Sequence, residues 1–231
     1  MEFAPEGPMA IPLWINGRPY LTVGDCFFDV VNPATGQARH RVPMCGAEEA
    51  AEAVAAARDA QAAWAGLGLA GRQECLARLA DGLEKYAGHF AKLLVQESAC
   101  PEAQADAEVA AALVALREAS VGETGVAALV VAAGQPLASL AAAAAPALLA
   151  GATLVVKPSP QAPAAAFALC ELATRCDWPG GVLNLVHGDG PAIEGLCAAG
   201  VDCLIYSGDA ALGAKVGELA AAHGTPFVTA A

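Results

Sequence analysis

Basic residues are scarce in this chain. Twelve Lys and Arg stand against 24 Asp and Glu, giving a formal net charge of −12. A nucleic-acid partner wants a basic face, so none is expected. Paired cysteines are also missing. The eight at 26, 45, 75, 100, 170, 176, 197 and 203 contain no C-x-x-C pair. No metal-ligand set follows from that spacing. Their apolar surroundings suit small core residues of a reducing, cytoplasmic compartment. No apolar segment follows a basic start, which argues against a secretory signal. Nucleophilic cysteine chemistry is unsupported as well, because a reactive thiolate needs an electropositive pocket, and Cys203, the nearest to a loop, leads into an apolar strand with no Lys/Arg cluster around it.

What is present is a long uncharged run. Residues 124–156 pass 33 positions without a formal charge and end at Lys157-Pro158-Ser159. A membrane helix needs about 20 mostly apolar residues that stay helical. Here Gly134-Gln135-Pro136 and Pro146 interrupt the run, Glu123 precedes it, and no basic cluster marks a cytoplasmic flank. The run reads instead as a buried strand–helix–strand unit, with Lys157 at the mouth of a candidate cofactor site.

Three regions follow. Residues 1–45 form a strand-rich lead: Met1–Pro12 is loose, Leu13–Arg18 enters a hairpin at Asn16-Gly17, and Phe27–Pro33 is a second strand. Residues 46–120 hold helices over about 47–65, 70–86, 87–100 and 102–118, each with apolar residues at helical spacing. Residues 121–231 alternate strands (126–131, 153–156, 182–186, 203–206, 227–229) with helices (136–150, 163–175, 191–198, 209–222). Continuous apolar strands separated by helices predict an α/β fold, a Rossmann-like parallel sheet with helices on both faces. A small strand pair and a helical segment precede it.

In such a sheet, ligands bind beyond the carboxyl ends of the strands. Lys157 and Ser159 leave strand 153–156, and the lysine can reach a ribose hydroxyl or a phosphate; it would equally serve as a solvated strand end. His187-Gly188-Asp189-Gly190-Pro191 follows strand 182–186, with glycines that permit close backbone approach and a proline suited to a first helical turn. An ordinary strand-to-helix turn has the same signature. Ser207-Gly208-Asp209 to Gly213 opens the next helix, whose free amides could hold a pyrophosphate. Asp209 is also a good N-cap on structural grounds alone.

Taken in order, these pieces resemble one family. Trp14-Ile15-Asn16-Gly17, Val31-Asn32-Pro33-Ala34-Thr35-Gly36 and the Ala-rich helix ending in Trp64 look like the amino-terminal region of NAD(P)-dependent aldehyde dehydrogenases. Ala145–Gly151 with Val156-Lys157-Pro158-Ser159, then Pro179–Val186, then Tyr206–Gly213, are similar to that family's cofactor domain. The resemblance implies NAD or NADP as cofactor, held by Lys157, Ser159, Gly188, Gly190, Pro191, Ser207, Gly208, Asp209 and Gly213.

Departures from the pattern are as informative. The family's oxyanion asparagine is matched by Gly134, its ribose-gripping glutamate by Pro160, its phosphate-side serine by Asp209 and its general-base glutamate by Ala231. The family's nucleophilic cysteine lies in a further domain with no match here. The longer connection that builds the family's oligomerisation arm is reduced to the seven residues between Glu118 and Val126. The resemblance therefore implies a protein that is non-catalytic on its own, with weak or lost NAD binding, acting as a homo-oligomer or with a protein partner. Two alternatives stay open: an aldehyde oxidoreductase completed by a partner chain, and a dinucleotide-binding module.

Overall fold

A computed structural model describes residues 8–20, 22 and 26–230. Ala231, the expected general-base position, and residues 1–7 of the expected loose start lie outside them. The chain runs β1 (Met9–Ala10), β2 (Leu13–Ile15), β3 (Arg18–Tyr20), β4 (Phe27–Val31) and β5 (Ala38–Pro43). Four helices follow: α1 (Ala47–Gly66), α2 (Gly68–Lys85), α3 (Ala87–Ser98) and α4 (Glu102–Arg117). The alternating region is β6 (Val126–Val131), α5 (Pro136–Ala150), β7 (Thr153–Pro158), α6 (Ala164–Arg175), β8 (Leu183–Leu185), α7 (Gly190–Ala198), β9 (Cys203–Ser207), α8 (Ala210–Ala222) and β10 (Phe227–Thr229).

The seven-stranded sheet has the order β10-β9-β6-β7-β8-β2-β3. Its five strands from β6 to β10 are mutually parallel, while β2 and β3 add an antiparallel hairpin at the β8 edge. In chain order the parallel strands run 3-2-1-4-5, the doubly wound arrangement. The order reverses between β6 and β9, which opens a crevice at their carboxyl ends.

Alternation along the strands makes two cores. Ala127, Leu129 and Val131 of β6, with Leu154 and Val156 of β7, pack under α2–α6. Val126, Ala128 and Val130, with Val155, pack under α1, α7 and α8. Every β6 residue is buried, as a strand covered on both faces requires. Period two then sends Lys157, paired in register with Val130, to the α1/α7/α8 face.

The helical segment satisfies the end of α5. Trp64 donates to the Leu148 carbonyl at 3.0 Å and Arg72 to the Leu149 carbonyl at 2.8 Å. These last-turn carbonyls have no partner within their own helix, so side chains from α1 and α2 supply it. Trp64 is fully buried, with its ring 5.0 Å from that of Trp178. Asn184 ties the hairpin to the sheet: its side chain accepts from the Asn16 amide at 3.0 Å and donates to the Gly181 carbonyl at 2.7 Å.

Four expectations need correction. Strand β7 extends through Pro158, so Lys157 lies within it. Part of the expected loose lead, Met9–Ala10, is a strand pairing parallel to β5, itself unexpected; together with β4 they form a three-stranded sheet. Val30 and Val42 of that sheet pack with Ile11 against Ala164. A strand this short has no readable period, and β5 (Ala-Arg-His-Arg-Val-Pro) has three consecutive polar residues and no apolar alternation, so tertiary pairing decided both. Cys26 is exposed, so the eight cysteines are not all core residues. Among the described residues no helix is long and apolar enough to cross a membrane.

Candidate functional site

The crevice between β6 and β9 widens into a cavity of about 470 Å³. Its apolar wall includes Val130, Val131 and Ala132 from β6 and its exit, Ile193 from α7, and Val216 and Leu219 from α8. Phe28, on β4, reaches over from the small sheet. The polar lining comprises Lys157, Ser159, Gln161, Asp189 and Lys215.

Lys157 sits inside this cavity instead of at its mouth. It is 5% exposed, and its Nζ donates to the Gly188 carbonyl at 2.9 Å. Burial lowers its pKa to about 8, partly opposed by the Asp189 carboxylate. Neighbouring His187 is fully buried, and burial pushes its imidazole down to about 4. A neutral ring donates from Nε2 to the Pro12 carbonyl at 3.1 Å. That bond fastens the lead to the sheet, and Nδ1 has no partner among the described residues.

The two helix starts beside the cavity differ. At α7, Asp189 occupies the N-cap position without a side-chain cap bond, and Gly190 has open space where a Cβ would project. At α8, the Asp209 carboxylate accepts from the Leu212 amide at 2.9 Å. Bonding to the Leu212 amide, then to Ala211, holds that carboxyl below its usual range.

The glycines of the 207–213 turn have a packing role. A Cβ on Gly208, at φ +156°, would stand 2.4 Å from the Ala132 Cβ and 2.5 Å from the Tyr206 Oη. A Cβ on Gly213 would lie 2.9 Å from the same Tyr206 ring. Tyr206 is 1% exposed, so its ring fills the space these glycines vacate. Gly188, at φ +129°, is likewise crowded by Ala192 and the Cys45 backbone.

Of the nine residues expected to hold a cofactor, Lys157, Ser159 and Gly190 line the cavity. Gly188 acts through its carbonyl on Lys157. Pro191 sits in the first turn of α7 and Asp209 caps α8, whereas Ser207, Gly208 and Gly213 shape the turn behind the lining. Sequence reasoning passed over Phe28, Ile193, Lys215 and Val216. Lys215 and Val216 were legible in principle, because they follow Leu212 by three and four residues and so share its helix face. Phe28 was not, since a separate sheet delivers it.

A second cavity, of about 480 Å³, adjoins the first through Phe28 and Gln161. Gly134, Glu97 and Ser98 line it. Both Glu97 carboxyl oxygens accept from the Ala164 amide at 3.0 Å, capping α6 from α3. Burial raises this carboxyl to about 8. Glu108 caps α5 in the same way, accepting from the Leu137 amide at 2.8 Å, and burial raises it too. A Cβ at Gly134 would meet nothing within 4 Å.

All eight cysteines are unpaired, and burial raises Cys45, Cys75, Cys170, Cys176, Cys197 and Cys203. Among the described residues no group of three or more His, Cys, Asp or Glu could hold a metal.

Comparison with known proteins gives one consistent answer. The model of the "Aldehyde dehydrogenase family" matches residues 22–122 and 119–230. The two stretches meet in the short connection between α4 and β6. Lactaldehyde dehydrogenase of Escherichia coli (strain K12) is 32% identical over 209 residues, covering 80% of this chain and 44% of that protein. The 3-succinoylsemialdehyde-pyridine dehydrogenase of Pseudomonas sp is 34% identical over 230 residues, covering 90% and 48%. The crystal structure of the E. coli lactaldehyde dehydrogenase superposes with a TM-score of 0.89 at 28% identity, over 96% of this chain and 52% of that one. An aldehyde dehydrogenase from Pseudomonas syringae, in complex with NAD+ and octanal, gives 0.87 at 28% identity, over 94% and 49%. The chain thus spans about half the length of the relatives it matches.

Proposed function

The chain belongs to the aldehyde dehydrogenase family, and from that premise we propose that these 231 residues form a nucleotide-domain module that does not oxidise aldehydes by itself and binds NAD or NADP weakly. The observation that carries this reading is Asp209. Its carboxylate rests on the α8 amide that an anion would otherwise use, and it sets like charge against a pyrophosphate. Pro160, on the cavity wall, has no acceptor side chain for a ribose. Gly134 offers no side-chain donor to an oxyanion, and losing one such donor costs about 10²–10³ in rate in known cases. The residues present therefore fit a dinucleotide poorly, although Lys157 and the apolar wall would accept part of one.

Calorimetric titration with NAD and NADP, beside an aldehyde oxidation assay, tests the reading. Weak or absent binding and no turnover are expected. Robust NAD-dependent turnover, abolished by a single Cys→Ala change, overturns it.

A second reading, a half-enzyme completed by another polypeptide, draws support from the far edge of the sheet. Among the described residues strand β10 pairs only with β9, and beside it lies a cavity of about 400 Å³ lined by Pro146, Ile205, Val228 and alanines of α5. Val228 is 45% exposed. Exposed apolar surface of this kind marks interfaces, so the protein is proposed to act as a homo-oligomer or with a protein partner in the cytoplasm. Gly122, Glu123 and Thr124 of the short connection between α4 and β6 line the same cavity. Copurification with a chain carrying the cysteine domain would favour completion in trans; a monomer in gel filtration with no partner retained argues against both assemblies.

A further inference from the structure

Four lysines are present, Lys85, Lys92, Lys157 and Lys215, and Lys157 is the buried one. An ammonium carries three donors, yet among the described residues Lys157 Nζ has one hydrogen-bond acceptor, the Gly188 carbonyl. Burial disfavours the ammonium relative to the neutral amine. The Gly188 carbonyl fixes the nitrogen in place, and the cavity in front of it is about 470 Å³. That is room for a small organic molecule.

We propose that Lys157 is a carbonyl-capturing nucleophile, whose amine condenses reversibly with a small aldehyde bearing an apolar chain. The nitrogen lone pair adds to the carbonyl carbon and forms the N–C bond. The carbonyl π pair moves to oxygen, which takes up the proton that nitrogen loses. Dehydration then breaks the C–O bond, releases one water and leaves an imine between Nζ and the former carbonyl carbon. No electrons are gained or lost, so no oxidant or reductant enters.

The surroundings suit each step. Asp189 lines the same cavity and its charge acts on Lys157, so its carboxylate can take part in moving the proton from nitrogen to the departing hydroxyl through an intervening water. Ser159 and Gln161 offer polar contacts for the carbonyl oxygen, and Val130, Ile193, Val216 and Leu219 receive the chain. The titratable groups facing the amine are Asp189, His187 and, across the cavity, Lys215. The proposal is independent of dinucleotide binding; an NAD molecule in the crevice would compete with the aldehyde.

Incubation of the full chain with hexanal and sodium cyanoborohydride near neutral pH traps imines as stable secondary amines, which peptide mass mapping locates. An amine at about 8 holds far more free base at that pH than one at 10.5. After allowing for its weaker intrinsic nucleophilicity, labelling at Lys157 is expected roughly tenfold faster than at Lys85, Lys92 or Lys215. Urea should erase that preference, and Lys157→Arg should remove the fast site. Wild-type mapping decides the matter even where the variant does not fold. Labelling of Lys157 no faster than the exposed lysines, or only after unfolding, overturns the proposal.

Discussion

Two helix starts flank the cavity and share one plan, a strand leading to Gly-Asp and then a helix. Gly188-Asp189 opens α7 and Gly208-Asp209 opens α8. They end up chemically opposite. Asp209 turns inward along the backbone and caps its own helix through Leu212. Asp189 makes no such bond, and its charge is felt by Lys157 instead. A local Gly-Asp signature thus does not say whether a helix start is available to a ligand. The side chain's competing partners decide it: Lys157 beside one, the Leu212 amide and the Tyr206 hydroxyl beside the other. The starts of α5 and α6 take a third course, because Glu108 and Glu97 reach them from other helices.

The largest effect should come from the backbone of the closed start. Gly208→Ala forces a Cβ against Ala132 and the buried Tyr206 ring at a positive φ, and is expected to destabilise by roughly 2–4 kcal/mol or prevent folding. Chemical denaturation measures it. A loss below a few tenths of a kcal/mol would mean that the turn yields easily, and the contrast with α7 would fail.

Next comes the remote cap of α6. The folded Glu97 carboxyl sits near 8, above its ordinary 4.5. A group raised on folding contributes stability that is complete below its unfolded pKa and is lost as pH rises through its folded one. Wild-type stability should therefore fall between about pH 4.5 and 8 by roughly 1–3 kcal/mol from this group. Glu97→Gln keeps an oxygen for the Ala164 amide and removes the ionisation, so most of that slope should vanish. Glu108 contributes a residual slope of the same sign. Denaturation series across this range check it; an unchanged slope would assign the pH response elsewhere.

Opening the closed start is a smaller perturbation. Asp209→Ser keeps a hydroxyl for the cap and removes the charge, so NAD affinity should rise about tenfold, with only a slight drop in Tm. Titration calorimetry reads the gain, and unchanged affinity would separate Asp209 from dinucleotide exclusion. The smallest effect belongs to the open start. Gly190→Ala meets nothing within 4 Å and should be neutral or stabilise by about 0.5–1 kcal/mol. A loss comparable to that at Gly208 would show that this start is as crowded as the other.

The order of elements was legible because it is written in period and punctuation. The uncharged strand at 126–131 and the breaks at Gly134-Gln135-Pro136 and Pro179-Gly180-Gly181 fall where the structure places them, and the strand expected at 153–156 starts correctly but ends two residues short. The family likeness was legible for the same reason, since its motifs sit at strand ends and turns. Strands β1 and β5 were not, because neither carries an alternation of its own. Within the site, Lys157 could be singled out by position, but its burial could not, since the strand's true end depends on pairing with Val131.

By itself the sequence determined that alternating apolar strands and helices would form a doubly covered parallel sheet, because residues with no charge over so long a run have nowhere to go but inside. Only the tertiary structure decided which polar groups face the cavity. Whether Lys157 meets water or the Gly188 carbonyl, whether Asp209 meets a ligand or Leu212, and whether Gly208 frees space or yields it to Tyr206 all turn on contacts between segments distant or folded back in space. Local propensity sets what a segment prefers; the low-dielectric interior sets what each polar group must find there.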